Sequence, residues 1–251
     1  MKHPILLRLI APLILLGSWW VVVSLRMVSP LILPSIPALS HAAQSLLLRS
    51  PGLWPDIGAT IGRSLVSLAI AAAAGVPLGV LMGYVPLIYA SLESGLEFAR
   101  AIPPVTLFPL FILAFGFGEL SLIATPLYGC IVIIILNSTY GVIGVPKVRR
   151  TVGRLSGLSR AAVFRKIIIP DALPQITVGL RTALSLSIVL TIVAEMLVGT
   201  DRGLGRKIYN YQLSFDSAEM YVAILIAGVI GYLTNRLFVV CQRRYVHWTD
   251  K

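Results

Sequence analysis

Acidic residues are scarce in this chain. Ten Asp and Glu stand against 21 Lys and Arg in 251 residues, and charged residues of both signs make up only 12% of it. A soluble domain carries about twice that fraction, so an extensive solvated surface is excluded. Cysteine is nearly absent. Cys130 and Cys241 both sit in apolar stretches, with no C-x-x-C or Cys/His cluster, which leaves no basis for a disulfide framework or a zinc site. The three histidines, His3, His41 and His247, fall outside the apolar runs. A G-x-x-x-x-G-K-[ST] loop is missing, so the chain cannot cradle ATP in the usual way. No Ser/His or Asp/Asp pair lies within an apolar run, which counts against an intramembrane protease. No catalytic, cofactor-binding or metal-ligating residue is assigned.

What is present is apolar surface: 57% of residues are hydrophobic and the mean hydropathy is +0.89. Such a surface has lipid as its natural solvent. The net charge of +11 would suit a nucleic-acid partner. It is also what a membrane protein collects in its cytoplasmic loops, and topology is the preferred reading, with no nucleic acid as partner.

The pattern predicts an all-α membrane protein, a single domain over 1–251 with six transmembrane helices at about 9–27, 57–84, 91–115, 120–142, 172–198 and 219–241. The first run could be a signal peptide. It is long for one, Pro12 interrupts it and no small-x-small cleavage site follows, so an uncleaved helix is preferred. Residues 28–56, rich in proline, read as an external loop with a short amphipathic helix near 38–49. A tight turn is expected at 85–90, a short external turn at 116–119 and a polar external loop at 199–218. Both termini then fall inside. Lys2, Arg8, Lys147, Arg149, Arg150, Arg154, Arg160, Arg165, Lys166, Arg243, Arg244 and Lys251 lie on that side, against Arg26, Arg49, Arg202, Arg206 and Lys207 outside. The bias supports this orientation.

Much of the inner charge lies in the polar stretch 144–171. Lys147–Ser156 can form one short helix, and Gly157 can close it in a left-handed cap. Ser159 is placed to N-cap a second helix, Arg160–Ile169. Val163, Ile167 and Pro170 share a face of it. Pro170 is expected to stop this helix, and Asp171 to cap the next span. A rigid helix-turn-helix of this kind is something a soluble partner could grip; the plainer reading is a solvated basic loop that only sets topology.

These residues resemble the signature loop of ABC importer permeases: Glu-Ala-Ala, three residues, Gly, nine residues, Ile-x-Leu-Pro. Here Gly157 is followed by nine residues and then Ile167-Ile168-Ile169-Pro170. Thr151-Val152-Gly153 stand where the family has Glu-Ala-Ala, so an acidic anchor is missing. The resemblance extends to Ala99-Arg100-Ala101-Ile102-Pro103-Pro104, to Pro109-Leu110-Phe111-Ile112 and Gly116-Phe117-Gly118, to Leu33-Pro34-Ser35, and to Ala194-Glu195-Met196 before Gly203-Leu204-Gly205. These look like the nitrate/sulfonate/taurine/bicarbonate branch.

The resemblance implies a type I importer permease in the bacterial inner membrane, with the 144–171 loop coupled to an ATPase through Arg150, Thr151, Val152, Gly153, Leu155, Gly157, Leu158, Ser159, Arg160, Ile167 and Pro170. Its implied partners are two cytoplasmic ATPase subunits carrying ATP and magnesium, a second permease copy (identical or homologous) and an external substrate-binding protein. The substrate would be a small anion.

Candidates for the pathway or gate are Arg100, Pro103, Pro104, Thr106, Leu107, Pro109, Glu195 and Met196. The prolines break the third helix near mid-membrane, where freed backbone groups can meet substrate; a plain kink is the alternative. Glu93, Glu97 and Arg100 share a helix face, either as an internal pair or as part of a gate. Arg63, Arg181 and Arg236 near span ends need partners or water. Glu195 could line the pathway or pair with the 199–218 loop, and a structural or gating role is preferred. Gly75, Gly79 and Gly83 mark a close helix contact. A secondary transporter driven by an ion gradient, or a scaffold without transport, are the competing functions.

Overall fold

The computed structural model describes residues 4–48, 53–198 and 200–245. Lys2, His3, Arg49, Pro51, His247 and Lys251 lie outside the described residues. Every regular element described is helical. In lipid each backbone N–H and C=O must find its partner within the protein, and a helix meets this need within one segment.

Three long helices form the packed centre: α3 (Leu53–Tyr84), α6 (Glu119–Ile143) and α9 (Ile169–Val198). The Gly75/Gly79/Gly83 face of α3 lies directly on α6. A Cβ at Gly79 would meet the Ile135 carbonyl oxygen at 2.5 Å, and one at Gly83 the Thr139 carbonyl at 2.7 Å. Thr139 Oγ1 donates to the Gly79 carbonyl at 3.1 Å across the seam. Small residues thus let two backbones touch, the main source of helix association where hydrophobic collapse is unavailable. Gly79→Leu is expected to prevent α3 from seating on α6, which lowers the yield of folded protein in detergent at least tenfold by size-exclusion chromatography. Gly228→Leu, where a Cβ meets nothing within 4 Å, should leave the profile unchanged.

Apolar clusters run the length of this core. Val80, Val142, Val145, Val163, Ile168, Ala172 and Ile176 close one end, Ala71, Cys130, Ile134 and Ala183 the middle, and Phe108, Leu122, Ala194 and Val198 the other end. Around it, α1 (Pro4–Ser24), α2 (Ile36–Leu48) and α11 (Ser217–Tyr245) form a looser shell. Trp19 Nε1 donates to the Pro34 carbonyl at 3.0 Å and its ring meets Tyr221 edge-on at 5.4 Å. Arg181 finds Asn235 Oδ1 at 2.8 Å, which supplies one of the partners its position demands.

Among the described residues, four helices are long and apolar enough to cross a membrane, or five if a sharply bent pair is one span. The expected first helix, 9–27, is met by α1, whose described apolar stretch is Ile10–Ser24. The third differs. The expected single kinked helix 91–115 is α4 (Pro86–Ala101), a 3₁₀ turn at Pro104–Leu107 and α5 (Phe108–Phe115), with an 89° bend between the arms. Adjacent Pro103 and Pro104 explain this: neither donates a backbone N–H, and each disfavours helix in the residue before it. The expected turn at 85–90 shrinks to Val85, because Pro86 starts α4 with a preset φ. The 199–218 loop also holds a helix, α10 (Leu204–Leu213), packed against α9, α3 and α11.

Pro170 does not stop the loop helix. The short α8 (Arg160–Val163) passes through a π-turn (Phe164–Ile168) straight into α9, so Arg160–Val198 is one continuous helix of 39 residues. The Ile169 N–H reaches back to the Phe164 carbonyl. That wider turn adds a residue just before the proline and relieves the clash between its ring and the preceding carbonyl. Asp171 consequently sits inside the helix instead of capping it.

Candidate functional site

At the end of the molecule opposite the 144–171 loop, α3, α6, α9 and α10 converge on one arginine. Nε and Nη2 of Arg63 donate to the two Glu119 oxygens at 2.7 and 2.5 Å. Nη2 also reaches Thr200 Oγ1 at 3.2 Å. Nη1 donates to Glu195 Oε1 at 2.8 Å and to the Arg202 carbonyl at 2.7 Å. All five guanidinium N–H groups are thus engaged. Glu195 is fully buried. It also accepts from Thr60 Oγ1 (2.8 and 3.0 Å to its two oxygens) and from the Gly205 N–H at 3.0 Å. Thr60 in turn accepts from the Leu204 N–H at 2.9 Å, and Asp56 from the Gly203 N–H at 2.7 Å. Lys207 Nζ stands 3.6 Å from Asp56 Oδ2.

Gly203-Leu204-Gly205 is therefore an N-terminal nest: its successive N–H groups, at the positive end of the α10 dipole, face Asp56, Thr60 and Glu195. A buried carboxylate is tolerable only when paired and hydrogen-bonded on all sides. Burial, and the nearby Glu219, Asp56 and Asp216 carboxylates, push the Tyr211 hydroxyl of α10 above its ordinary range. It stays protonated at neutral pH. A cleft of about 510 Å³ opens beside this network, between Gly58, Gly62, Arg63, Glu119 and Thr200.

The second constellation surrounds the bend. Thr106 Oγ1 and its N–H both bond the Pro103 carbonyl, at 2.7 and 3.0 Å. Leu107 precedes α5, and Pro109 stands in its first turn. Pro104 packs on Gly129, and Tyr128 Oη donates to the Ala99 carbonyl at 2.8 Å, which fixes the end of α4. A cavity of about 200 Å³ lies here, walled by Arg100, Ile102, Pro104, Tyr128 and Leu186. Arg100 pairs with Glu97 at 2.5 Å, Tyr140 Oη approaches Glu97 at 3.4 Å and Tyr89 Oη donates to Glu93 at 2.5 Å. No described residue of α4 is buried, so this polar face is open. The bend gathers Arg100, Pro103, Pro104, Thr106, Leu107 and Pro109. Glu195 lies apart from them in the Arg63 network, with half-buried Met196 next to it in the chain.

The third is the loop. Helix α7 (Lys147–Leu155) ends in a Schellman motif: Gly157 N–H bonds the Arg154 carbonyl at 3.0 Å, and Leu158 N–H the Gly153 carbonyl at 3.1 Å. Gly157 has φ +78°. Ser159 Oγ accepts from the Ala162 N–H at 3.3 Å as N-cap of α8. Gly153 is buried against Ile167, Val163 and Leu158. Thr151 bonds only its own helix, at the Lys147 carbonyl. The outer face of α7 presents Val148, Val152 and Leu155, exposed by 72%, 55% and 82%, beside Arg154. Its inner face is clamped: Arg149 pairs with Asp171 of α9 at 2.6 Å, and Arg150 donates to the Val142 carbonyl near the end of α6 at 2.5 Å. Arg160 opens α8 and Pro170 continues into α9.

A rigid, exposed loop joined to a core of three packed long helices is matched by known proteins. Residues 75–247 match the binding-protein-dependent transport system inner membrane component family. The chain belongs to that family. This ABC permease is 30% identical to the taurine transport system permease protein TauC of Escherichia coli over 241 residues, 94% of this chain and 86% of the other. It is 34% identical to the nitrate import permease protein NrtB of Synechocystis over 185 residues, 74% and 67% of the two chains. The putative aliphatic sulfonates transport permease protein SsuC of Bacillus subtilis is 28% identical over 242 residues, 96% and 87% of the two chains. Among solved structures, a chain of the inward-facing MetNI methionine ABC transporter superposes with a TM-score of 0.65 at 19% identity, covering 86% of this permease and all of that chain. This likeness supports the fold. The permease is a multi-pass membrane protein, of the inner membrane in bacteria.

Sequence reasoning missed Asp56, Thr60, Glu119, Thr200 and Lys207, and named Arg63 only as a charge needing a partner. The available signal was that Arg63 and Glu119 stand at span ends, where charge is costly, together with Glu195 just before Gly203-Leu204-Gly205. What the chain order hides is the pairing: Thr60 and Glu195 are 135 residues apart.

Proposed function

We propose that the permease forms half of a translocation pathway for a small organic or inorganic anion, taurine and other sulfonates or nitrate being the chemical models. Movement is by alternating access, driven by two ATPase subunits that carry ATP and magnesium and grip the α7–α8 loop. A second permease copy completes the pathway, and an external binding protein delivers substrate. Hydrolysis belongs to the ATPase subunits, and the permease is non-catalytic. The observation that carries this reading is the loop: its inner face is tied to α6 and α9, while its outer face offers Val148, Val152 and Leu155, largely uncovered by the described residues. Basic and apolar side chains replace the missing acidic anchor. Relatives named for taurine, aliphatic sulfonates and nitrate support the substrate class.

The test is uptake into liposomes holding the permease with or without its ATPase and binding protein. ATP-dependent uptake of a labelled sulfonate or nitrate, needing all components, is the expected result. Gradient-driven uptake by the permease alone would favour the secondary transporter instead.

A variant isolates the loop. At φ +78° a β-branched residue is strained, although a Cβ at Gly157 meets nothing within 4 Å. Gly157→Val should therefore reshape the turn and cut coupled uptake about tenfold, by the population shift that ~1–2 kcal/mol of strain produces. Gly157→Asn should retain most uptake. Equal activity of the two variants would contradict docking through loop shape.

A further inference from the structure

Two open clefts meet at Leu33, one along α1 and one between the end of α1 and the start of α11. The first, about 660 Å³, runs along α1 and is apolar: Pro12, Leu15, Leu16, Trp19, Val22 and Leu33. The second, about 640 Å³, lies at the α1 terminus and is half polar. Leu33 lines both, so a polar chamber adjoins an apolar groove along α1. Each is within the size range of ligand pockets, roughly 300–1,000 Å³.

The polar chamber is built. Trp19 Nε1 ties α1 to the Pro34 carbonyl, Trp19 packs on Tyr221 of α11, and Ser217 Oγ donates to the Leu31 carbonyl. Trp and Tyr with one polar end anchor at membrane interfaces. Two residues at its edge adopt left-handed backbone, Arg26 at φ 51° and Phe215 at φ 60°; side chains other than glycine are held there only by their surroundings. Arg26, Asp216 and Glu219 all line the chamber. None of the three is in an ion pair within the described residues. Cation and carboxylates therefore face one space without neutralising each other.

We propose that these adjoining clefts seat one phospholipid whose headgroup carries a primary amine, of the phosphatidylethanolamine type. The phosphate meets Arg26, the ammonium meets Asp216 and Glu219, and an acyl chain lies along Pro12, Leu16, Trp19 and Leu33. A headgroup bearing both charges satisfies both sides of the chamber. A purely anionic headgroup leaves the carboxylates facing a like charge, and a choline headgroup brings charge without N–H donors.

The test is native mass spectrometry of the full chain in mild detergent, offered equimolar palmitoyl-oleoyl phosphatidylethanolamine, phosphatidylglycerol and phosphatidylcholine. The ethanolamine lipid should be retained about fivefold over the other two, the scale of exposed charge pairing. Asp216→Asn with Glu219→Gln should abolish that preference, and Arg26→Ala should lower retention of all three lipids. The wild-type comparison requires no variant to fold. Equal retention of the three lipids by the wild-type chain, or an unchanged preference in the double variant, would overturn the proposal, as would a chamber that takes up lipid only after Arg26→Ala.

Discussion

Arg63→Ala is expected to abolish the folded permease. It removes the only cation in contact with Glu195 among the described residues, and Glu195 is fully buried. Thr60 and the Gly205 N–H remain, but two neutral donors cannot replace an ion pair in a medium that solvates charge poorly. Removing one partner of a buried pair costs about 3–5 kcal/mol, a large share of the roughly 5–15 kcal/mol that holds a domain together. The variant should be lost from membranes, or melt at least 10 °C lower in detergent by a thiol-reactive or static-light-scattering assay. Arg63→Lys should recover little, since an ammonium cannot supply five donors in a planar fork. Glu119→Gln should be mild, because that carboxylate is 62% exposed and water takes over its role. Arg63→Met with Glu195→Met should recover much of the lost stability, as apolar replacement of buried ion pairs does elsewhere. A melting temperature for Arg63→Ala equal to that of Glu119→Gln would refute this account.

Gly205→Ala carries the second largest effect, from a single methyl. Its Cβ would fall inside van der Waals contact with the Ile192 carbonyl oxygen and 2.8 Å from Glu195 Cβ. One atom is backbone and the other a Cβ, both fixed in the last turns of α9, so neither can swing away. The α10 N-terminus must lift off α9, which pulls the Gly205 N–H from Glu195 and the Leu204 N–H from Thr60. Overpacking costs about 1–3 kcal/mol, more where backbone cannot yield, and two buried hydrogen bonds go with it. Gly153→Ala is the control. There the methyl also overlaps a neighbour, but that neighbour is Ile167 Cδ1, the tip of a flexible side chain. Thermal melts should show Gly205→Ala far below wild type and Gly153→Ala within a few degrees of it. Similar losses would show that the contact with Ile192 is not what matters.

Local structure was readable wherever local chemistry decides it. The Gly157 turn, the Ser159 cap and the α7 helix follow from residues within a few positions of each other. A close helix contact was visible in Gly75, Gly79 and Gly83, three small residues on one face, but not that α6 is the helix it meets. The proline pair at 103–104 announced a break, though not its 89° angle, nor that Tyr128 reaches the Ala99 carbonyl beside it. Pro170 misled for a definite reason: proline ends a helix when the preceding carbonyl has nowhere to go, and the π-turn at Phe164–Ile168 gives it somewhere. The Arg63 network was illegible because its members come from four separate segments. Composition reveals that buried charges need partners; only the packing of α3, α6, α9 and α10 selects which.

The unbroken helix from Arg160 to Val198 has a mechanical meaning. At about 1.5 Å per residue, its 39 residues make a strut nearly 60 Å long. Arg160 and the π-turn form one end, next to the exposed loop; Glu195 sits near the other, gripped by Arg63 and Gly205. A tilt of about 10° around the midpoint would carry each end roughly 5 Å in opposite directions, given that length. A tilt of that kind would turn about the packing of Ala183, Ile134 and Ala71, and the far tip is pinned by a salt bridge instead of being left free. Force applied at the loop would arrive at a carboxylate.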